Sequence, residues 1–313
     1  MMVEAGNFVA TLLAGALRAG TPLVFATIGE IFTERAGVLN LGIEGILLSG
    51  ALSAFAVAQM TGSLWAGVGA GILMGLLLGA IHAFLSVSLR ANQVVSGLSL
   101  TIFGTGLSGV LGKNMVGIPG RLFQEIPIPI LEKIPFLGGI FFRQNAMVYL
   151  SYLLIFLSFI YLFRTRGGLM LRSCGENPQA AESSGVNAGR VRWMSVLFGG
   201  AMAGLGGAYL SLAYNNQWIE GMSAGRGWIA LALVIFGGWN PLRAALGAYL
   251  FGGLDSLQFK IQAAGAHIPA PLLLMTPYLF TLLVLLFSSG EKARRKMSAP
   301  AALGLPYTPG ERE

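Results

Sequence analysis

Along the chain, runs of about 20 mostly apolar residues alternate with short polar segments, the spacing expected of helices that cross a hydrocarbon core. The runs fall at roughly 8–28, 38–60, 62–88, 94–112, 147–163, 193–214, 227–239, 241–258 and 271–287. They predict an all-α, polytopic transmembrane helical bundle of about nine spans, within a range of eight to ten. The third run is long, and 227–239 is short for a full crossing. The polar stretch from Leu89 to Ser99 predicts a broken or re-entrant helix.

A second period lies inside the spans. Gly67, Gly71, Gly75, Gly79 and Ala83 recur every four residues, as do Gly200, Gly204 and Ala208. Positions four apart share a helical face, and small residues there let helix backbones approach closely in lipid. Both rows are expected to be packing faces rather than ligand sites.

Composition agrees with the pattern and narrows the chemistry. Of 313 residues only 11% are charged, against roughly 25% in a soluble domain, while 55% are hydrophobic and the mean hydropathy is +0.71. The chain holds His82, His267, Cys174 and Asp255 as its only His, Cys and Asp. An internal disulfide is impossible, and no metal site, cofactor or catalytic group is expected. The only Gly-Lys pair, Gly112-Lys113, is followed by Asn114, so there is no phosphate-binding loop of the G-x-x-x-x-G-K-[ST] type. The chain does not read as an enzyme.

The net charge of +7 reflects topology rather than nucleic-acid binding. Thirteen of the 20 Lys and Arg fall in 29–37, 89–93, 164–192, 239–243 and 288–313. By the positive-inside rule these segments are cytoplasmic, with the N-terminus out and the C-terminus in. Residues 1–290 then form one membrane domain with an outer loop, 113–146, and a cytoplasmic loop, 164–192. Residues 291–313 are expected to be a basic, disordered cytoplasmic tail. Glu4 and the lack of early basic residues do not resemble a cleavable signal peptide. Arg18 falls within the first run, where it needs a partner such as Glu30, an amphipathic first segment or a face turned to other helices.

The stretch 30–50 carries the most chemistry. Asn40 and Glu44 are four apart and are expected on one helical face. A carboxylate there requires a partner or a wet cavity. Either Glu44 pairs with a nearby Arg and staples helix ends, or Asn40 and Glu44 line a polar path. Asn92, Gln93, Ser96 and Ser99 extend the candidate path, as do Asn215, Asn216 and Gln217, unless they are caps and loop residues. Uncharged amides and hydroxyls suit a hydroxylated or heterocyclic solute. His82 reads as a hydrogen-bonded packing residue and Cys174 as an unreactive thiol. Asp255 and Lys260 are spaced to pair, and Trp218, Trp228 and Trp239 sit near span ends, where indoles favour the headgroup layer.

The segment Thr33-Glu-Arg-Ala-Gly-Val-Leu-Asn-Leu-Gly-Ile-Glu-Gly resembles the signature of bacterial ABC importer permeases. The likeness is to the nucleoside and simple-sugar group of the branched-chain amino acid/ribose permease family. It continues through Gly97-Leu-Ser-Leu-Thr-Ile-Phe, the Pro-containing segments at 126–129 and 134–138, and Gly175-Glu-Asn-Pro-Gln-Ala-Ala-Glu-Ser-Ser-Gly-Val-Asn. The segment from Gly227 to Leu242 completes it, so that it covers about Leu13 to Phe287.

In the 164–192 loop, Asn177 is placed as an N-cap, Pro178 as the first helical residue and Gly185 as terminator, predicting a two-turn helix. Small residues (Ala180, Ala181, Ser183, Ser184) are expected to be exposed on it. The resemblance implies that this is the coupling helix, with Gly175, Glu176, Asn177, Pro178, Ala180, Ala181 and Gly185 engaging a separate ATP-binding subunit. It also implies a second, similar permease (a heterodimer), an extracytoplasmic solute-binding lipoprotein and a place in the bacterial plasma membrane. The implied function is import of nucleosides or a related small polar solute. Alternatives are a simple-sugar or riboflavin-like substrate, or an ion-coupled secondary transporter. Scarce membrane Asp, Lys and His and the lack of an internal repeat weigh against the last.

Overall fold

The computed structural model describes residues 2–263, 272, 275, 279 and 299–308. Apart from three positions, the expected span 271–287 lies outside the described residues. In chain order the helices are α1 (Met2–Arg35), α2 (Ile43–Thr61), α3 (Leu64–Ala83) and α4 (Gln93–Gly112). An excursion follows with β1 (Glu125–Pro127), α5 (Leu137–Phe141) and β2 (Arg143–Asn145), the two strands antiparallel with Ile126 opposite Gln144. Then come α6 (Ala146–Arg164), α7 (Arg166–Glu176), α8 (Pro178–Ser183), α9 (Ala188–Tyr209), α10 (Arg226–Gly237) and α11 (Pro241–Ala263).

Six described helices are long and apolar enough to span a membrane: α1, α2, α3 and α9 with their π-helical extensions to Ser88 and Tyr214, α4 and α6. The expected seventh span is corrected. With 12 residues α10 is about 18 Å long at the usual helical rise, too short to cross, and it begins inside the bundle. Of the stretch from Leu89 to Ser99 expected to be broken, only residues 90–92 leave the helix, with Arg90 at a φ of 57°; α4 is regular from Gln93.

The core is organised around α9, which packs on α1, α2 and α3. The two glycine rows mesh as expected. Gly75 lies directly against the Gly200 backbone, Gly79 against Gly200 and Val196, and Gly71 against Gly204 and Ala208. The α2–α4 crossing uses the same device, with Gly45 and Gly104 backbone to backbone.

Several charge expectations change once the chain is folded. Arg18 bonds Glu125 (2.6 Å) and Gln144 (3.0 Å), not Glu30. It lies near the middle of the 34-residue α1, where the β-ribbon folds back against the helix. Asp255 pairs with Arg226 at 2.8 Å rather than with Lys260, which contacts Thr11 and lies over the Phe8 ring. Of the three Trp expected near span ends, Trp218 and Trp239 are buried within the protein and Trp228 is exposed. Residues 299–308, expected to lack structure, form turns against the bundle, with Ala302 and Tyr307 buried.

Candidate functional site

Two polar constellations stand out in the bundle. The deeper is built on Glu44 in the first turn of α2. Its Oε1 accepts from the Ser223 hydroxyl (2.5 Å) and the Gly225 N–H (2.9 Å), and its Oε2 from the Gly227 N–H (2.6 Å). These donors are the N-terminus of α10, where Gly225 caps the helix at φ 78°. Backbone N–H groups at a helix start have no intrahelical partner and carry partial positive charge. Glu44 therefore serves as a cap from a different helix, closing a break that would otherwise leave bare donors in the bundle. Among the described residues no Arg is its partner. Behind it Arg226, paired with Asp255, also lies over the Tyr214 ring.

Asn40 does not share a helical face with Glu44. It precedes α2, and its side-chain oxygen accepts from Gly42 N (2.9 Å) while its N–H donates to Glu30 Oε1 (3.0 Å). Glu34 is reached by the Trp239 indole (2.6 Å), and Arg35 donates to the Gly238 and Trp239 carbonyls. The acidic motif is thus spent on its own loop and on the turn between α10 and α11.

Most other path candidates make hydrogen bonds within the fold. Asn92 caps α4 by accepting from Val95 N, and Gln93 is buried, holding Leu39 N at 2.8 Å. Ser96 bonds His82 Nδ1 (3.0 Å), whose Nε2 meets the Leu39 carbonyl (3.1 Å), so His82 is the packing residue expected. Asn92 and Ser99 are exposed, and Ser99 lies at the rim of a cavity of about 220 Å³ lined also by His82, Ser96, Ile81 and Phe103.

The second constellation is the α7–α8 end. Helix α8 forms as the sequence indicates: Asn177 accepts from Ala180 N (2.9 Å), Pro178 is its first residue, and Gly185 stops it at φ 85°. One expectation fails. Ala181 is 4% exposed, packed with Cys174, Ala188 and Tyr307; Gln179, Ala180, Ser183 and Ser184 face outward. Gly175 is buried against the Arg35 carbonyl and leaves no room for a Cβ. Burial pushes the Cys174 thiol above its usual range, keeping it protonated and unreactive.

Sequence reasoning missed Ser223, Gly225, Arg192 and Tyr307. The Gly-rich turn 221–227 directly before an apolar helix was the available signal for the first two.

The comparisons with known proteins agree with this architecture. Residues 12–288 match the profile of the branched-chain amino acid transport system permease component. The chain belongs to that permease family. A nucleoside ABC transporter permease of Lactococcus lactis, NupC, is 39% identical, covering 96% of this chain and 98% of its own. A guanosine ABC transporter permease of Bacillus subtilis, NupQ, is 35% identical over 93% and 94%. A Haloferax volcanii permease assigned to glucose ABC transport, TsgC13, is 41% identical over 95% and 97%. Among solved structures, an inward-facing ABC transporter described as of metal-chelate type shares the fold, with a TM-score of 0.53 and 17% identity over 88% of the permease and 85% of that chain. The permease is an ABC transporter membrane subunit.

Proposed function

We propose that the permease imports nucleosides or a closely related sugar-bearing solute, driven by an ATP-binding subunit that docks on α8. The observation that carries the docking assignment is the outward face of α8, made of Gln179, Ala180, Ser183 and Ser184. Small side chains let a partner approach the helix backbone closely. In this reading the α8 end is cytoplasmic, the β-ribbon end faces out, and the membrane is the bacterial plasma membrane. A second permease and a solute-binding lipoprotein complete the transporter. The surface for the latter is the 113–146 excursion, which joins the 215–225 loop through Gly120 N to Asn216 O and through Val116 beside Trp218.

The test separates docking from packing. Ser183→Trp is expected to leave the yield of folded permease unchanged while cutting co-purification of the ATP-binding subunit at least about tenfold, roughly 1.4 kcal/mol of binding. Wild-type co-purification and uptake would refute the docking face. Ala181→Trp is a poor probe of docking, because it overfills the pocket under Tyr307 and destabilises the permease itself.

The solute is read from the relatives, of which two are named for nucleosides and one for glucose. A sugar ring is the shared chemistry. With the assembled transporter in proteoliposomes, labelled guanosine and uridine are expected to accumulate on ATP addition, and excess glucose to compete poorly. Uptake of glucose and exclusion of nucleosides would reverse the assignment.

A further inference from the structure

We propose that residues 299–308 are a latch that ties the coupling helix to the membrane helices, so that movement of α8 is passed to α1, α4 and α9. The inference rests on α8 being the docking helix.

Within ten residues the segment contacts α7, α8, α9, the loop after α1 and the start of α4. Ala302 N donates to the Gly175 carbonyl (2.8 Å) and Ala301 N to Glu176 Oε2 (3.4 Å), both at the end of α7. Gly304 N donates to the Gly37 carbonyl (3.3 Å), just past α1. The Leu305 carbonyl accepts from Gln93 at the start of α4 (3.4 Å) and from Arg192 in α9 (3.2 Å). Tyr307 closes over Cys174, Ala181 and Ala188, and the Arg192 guanidinium lies 5.6 Å from its ring centre.

Arg192 makes this more than a list of contacts. It is 2% exposed, and among the described residues it forms no ion pair. Its charge is balanced by the Ala36 carbonyl (3.1 Å), the Leu305 carbonyl and the Tyr307 ring. A buried cation needs such partners, and two of the three belong to the latch. The same tyrosine backs Ala181. Helix α8 has only six residues on a loop, and a push on its outer face would tilt it unless something stiff lay behind. Tyr307, pinned to Arg192, is that support.

The test uses the full-length permease with Tyr307→Ala and Tyr307→Phe. In membranes containing the permease alone, maleimide labelling of Cys174, the single thiol, is expected to quicken at least about tenfold for Tyr307→Ala and to stay slow for Tyr307→Phe. In the assembled transporter, Tyr307→Ala should still co-purify with the ATP-binding subunit and hydrolyse ATP, yet move at least about tenfold less solute per ATP; Tyr307→Phe, which keeps the ring, should match wild type. If Tyr307→Ala does not accumulate, Tyr307→Leu fills the space without an aromatic face and is read in the same way. Unchanged Cys174 labelling, or wild-type solute per ATP in the Ala or Leu variant, overturns the latch. Loss in Tyr307→Phe overturns the role given to the ring. Absence of ATP-driven uptake by the wild-type assembly would instead refute the importer reading, and the Cys174 comparison still decides the latch.

Discussion

Glu44→Ala is expected to abolish ATP-driven uptake and to lower the melting temperature of the purified permease. One carboxylate satisfies the Ser223 hydroxyl and two backbone N–H groups at the start of α10. Alanine strips all three donors of their acceptor within the bundle, where water does not replace it. Leaving buried donors without an acceptor costs about 1–3 kcal/mol each, together a large part of the stability of a typical domain. Glu44→Gln should fall between: one oxygen still accepts, but the amide NH2 faces an N–H it cannot bond, at a cost of about 1–3 kcal/mol. Thermal unfolding in detergent and uptake in proteoliposomes read both effects. A Glu44→Ala permease with wild-type melting and uptake would show that the α10 terminus does not depend on this cap.

An equally large effect is expected at the α3–α9 crossing. Gly75→Val forces a branched side chain into the Gly200 backbone. Overpacking usually costs about 1–3 kcal/mol because flexible side chains give way; here the obstacle is main chain of a central helix, so the cost lies above that range. No folded permease should elute from size-exclusion chromatography. Gly69→Val, six residues earlier on the same helix, meets nothing within 4 Å and should elute normally. Equal recovery of the two variants would mean that the row does not set the helix separation.

The glycine rows were legible because a four-residue period and the need to pack helices in lipid leave one sensible use for them. The cap geometry of α8 was legible for a similar reason: Asn, Pro and Gly each act within a turn of their own position. What the sequence hid was long-range. Asn40 and Glu44 look like one helical face only if α2 starts early, and it starts at Ile43. Arg18 looks stranded at mid-span until the β-ribbon is seen to bring Glu125 and Gln144 onto it. Ala181 differs from Ala180 in nothing but the side of α8 it occupies, and Tyr307 decides that side from more than a hundred residues away. The 227–239 run has the hydropathy of a span, but no property of the run itself reveals that its first residues are capped from α2 and lie within the bundle.

The position of the 299–308 segment also orders the birth of the molecule. It leaves the ribosome after every helix described here, yet it supplies contacts to the ends of α1, α4, α7 and α9. The helices described here can therefore insert and pair before this segment is made, and its contacts with α1, α4, α7 and α9 form after theirs. A chain halted short of Ala299 is expected to reach the bilayer with Arg192 uncovered and α8 unsupported.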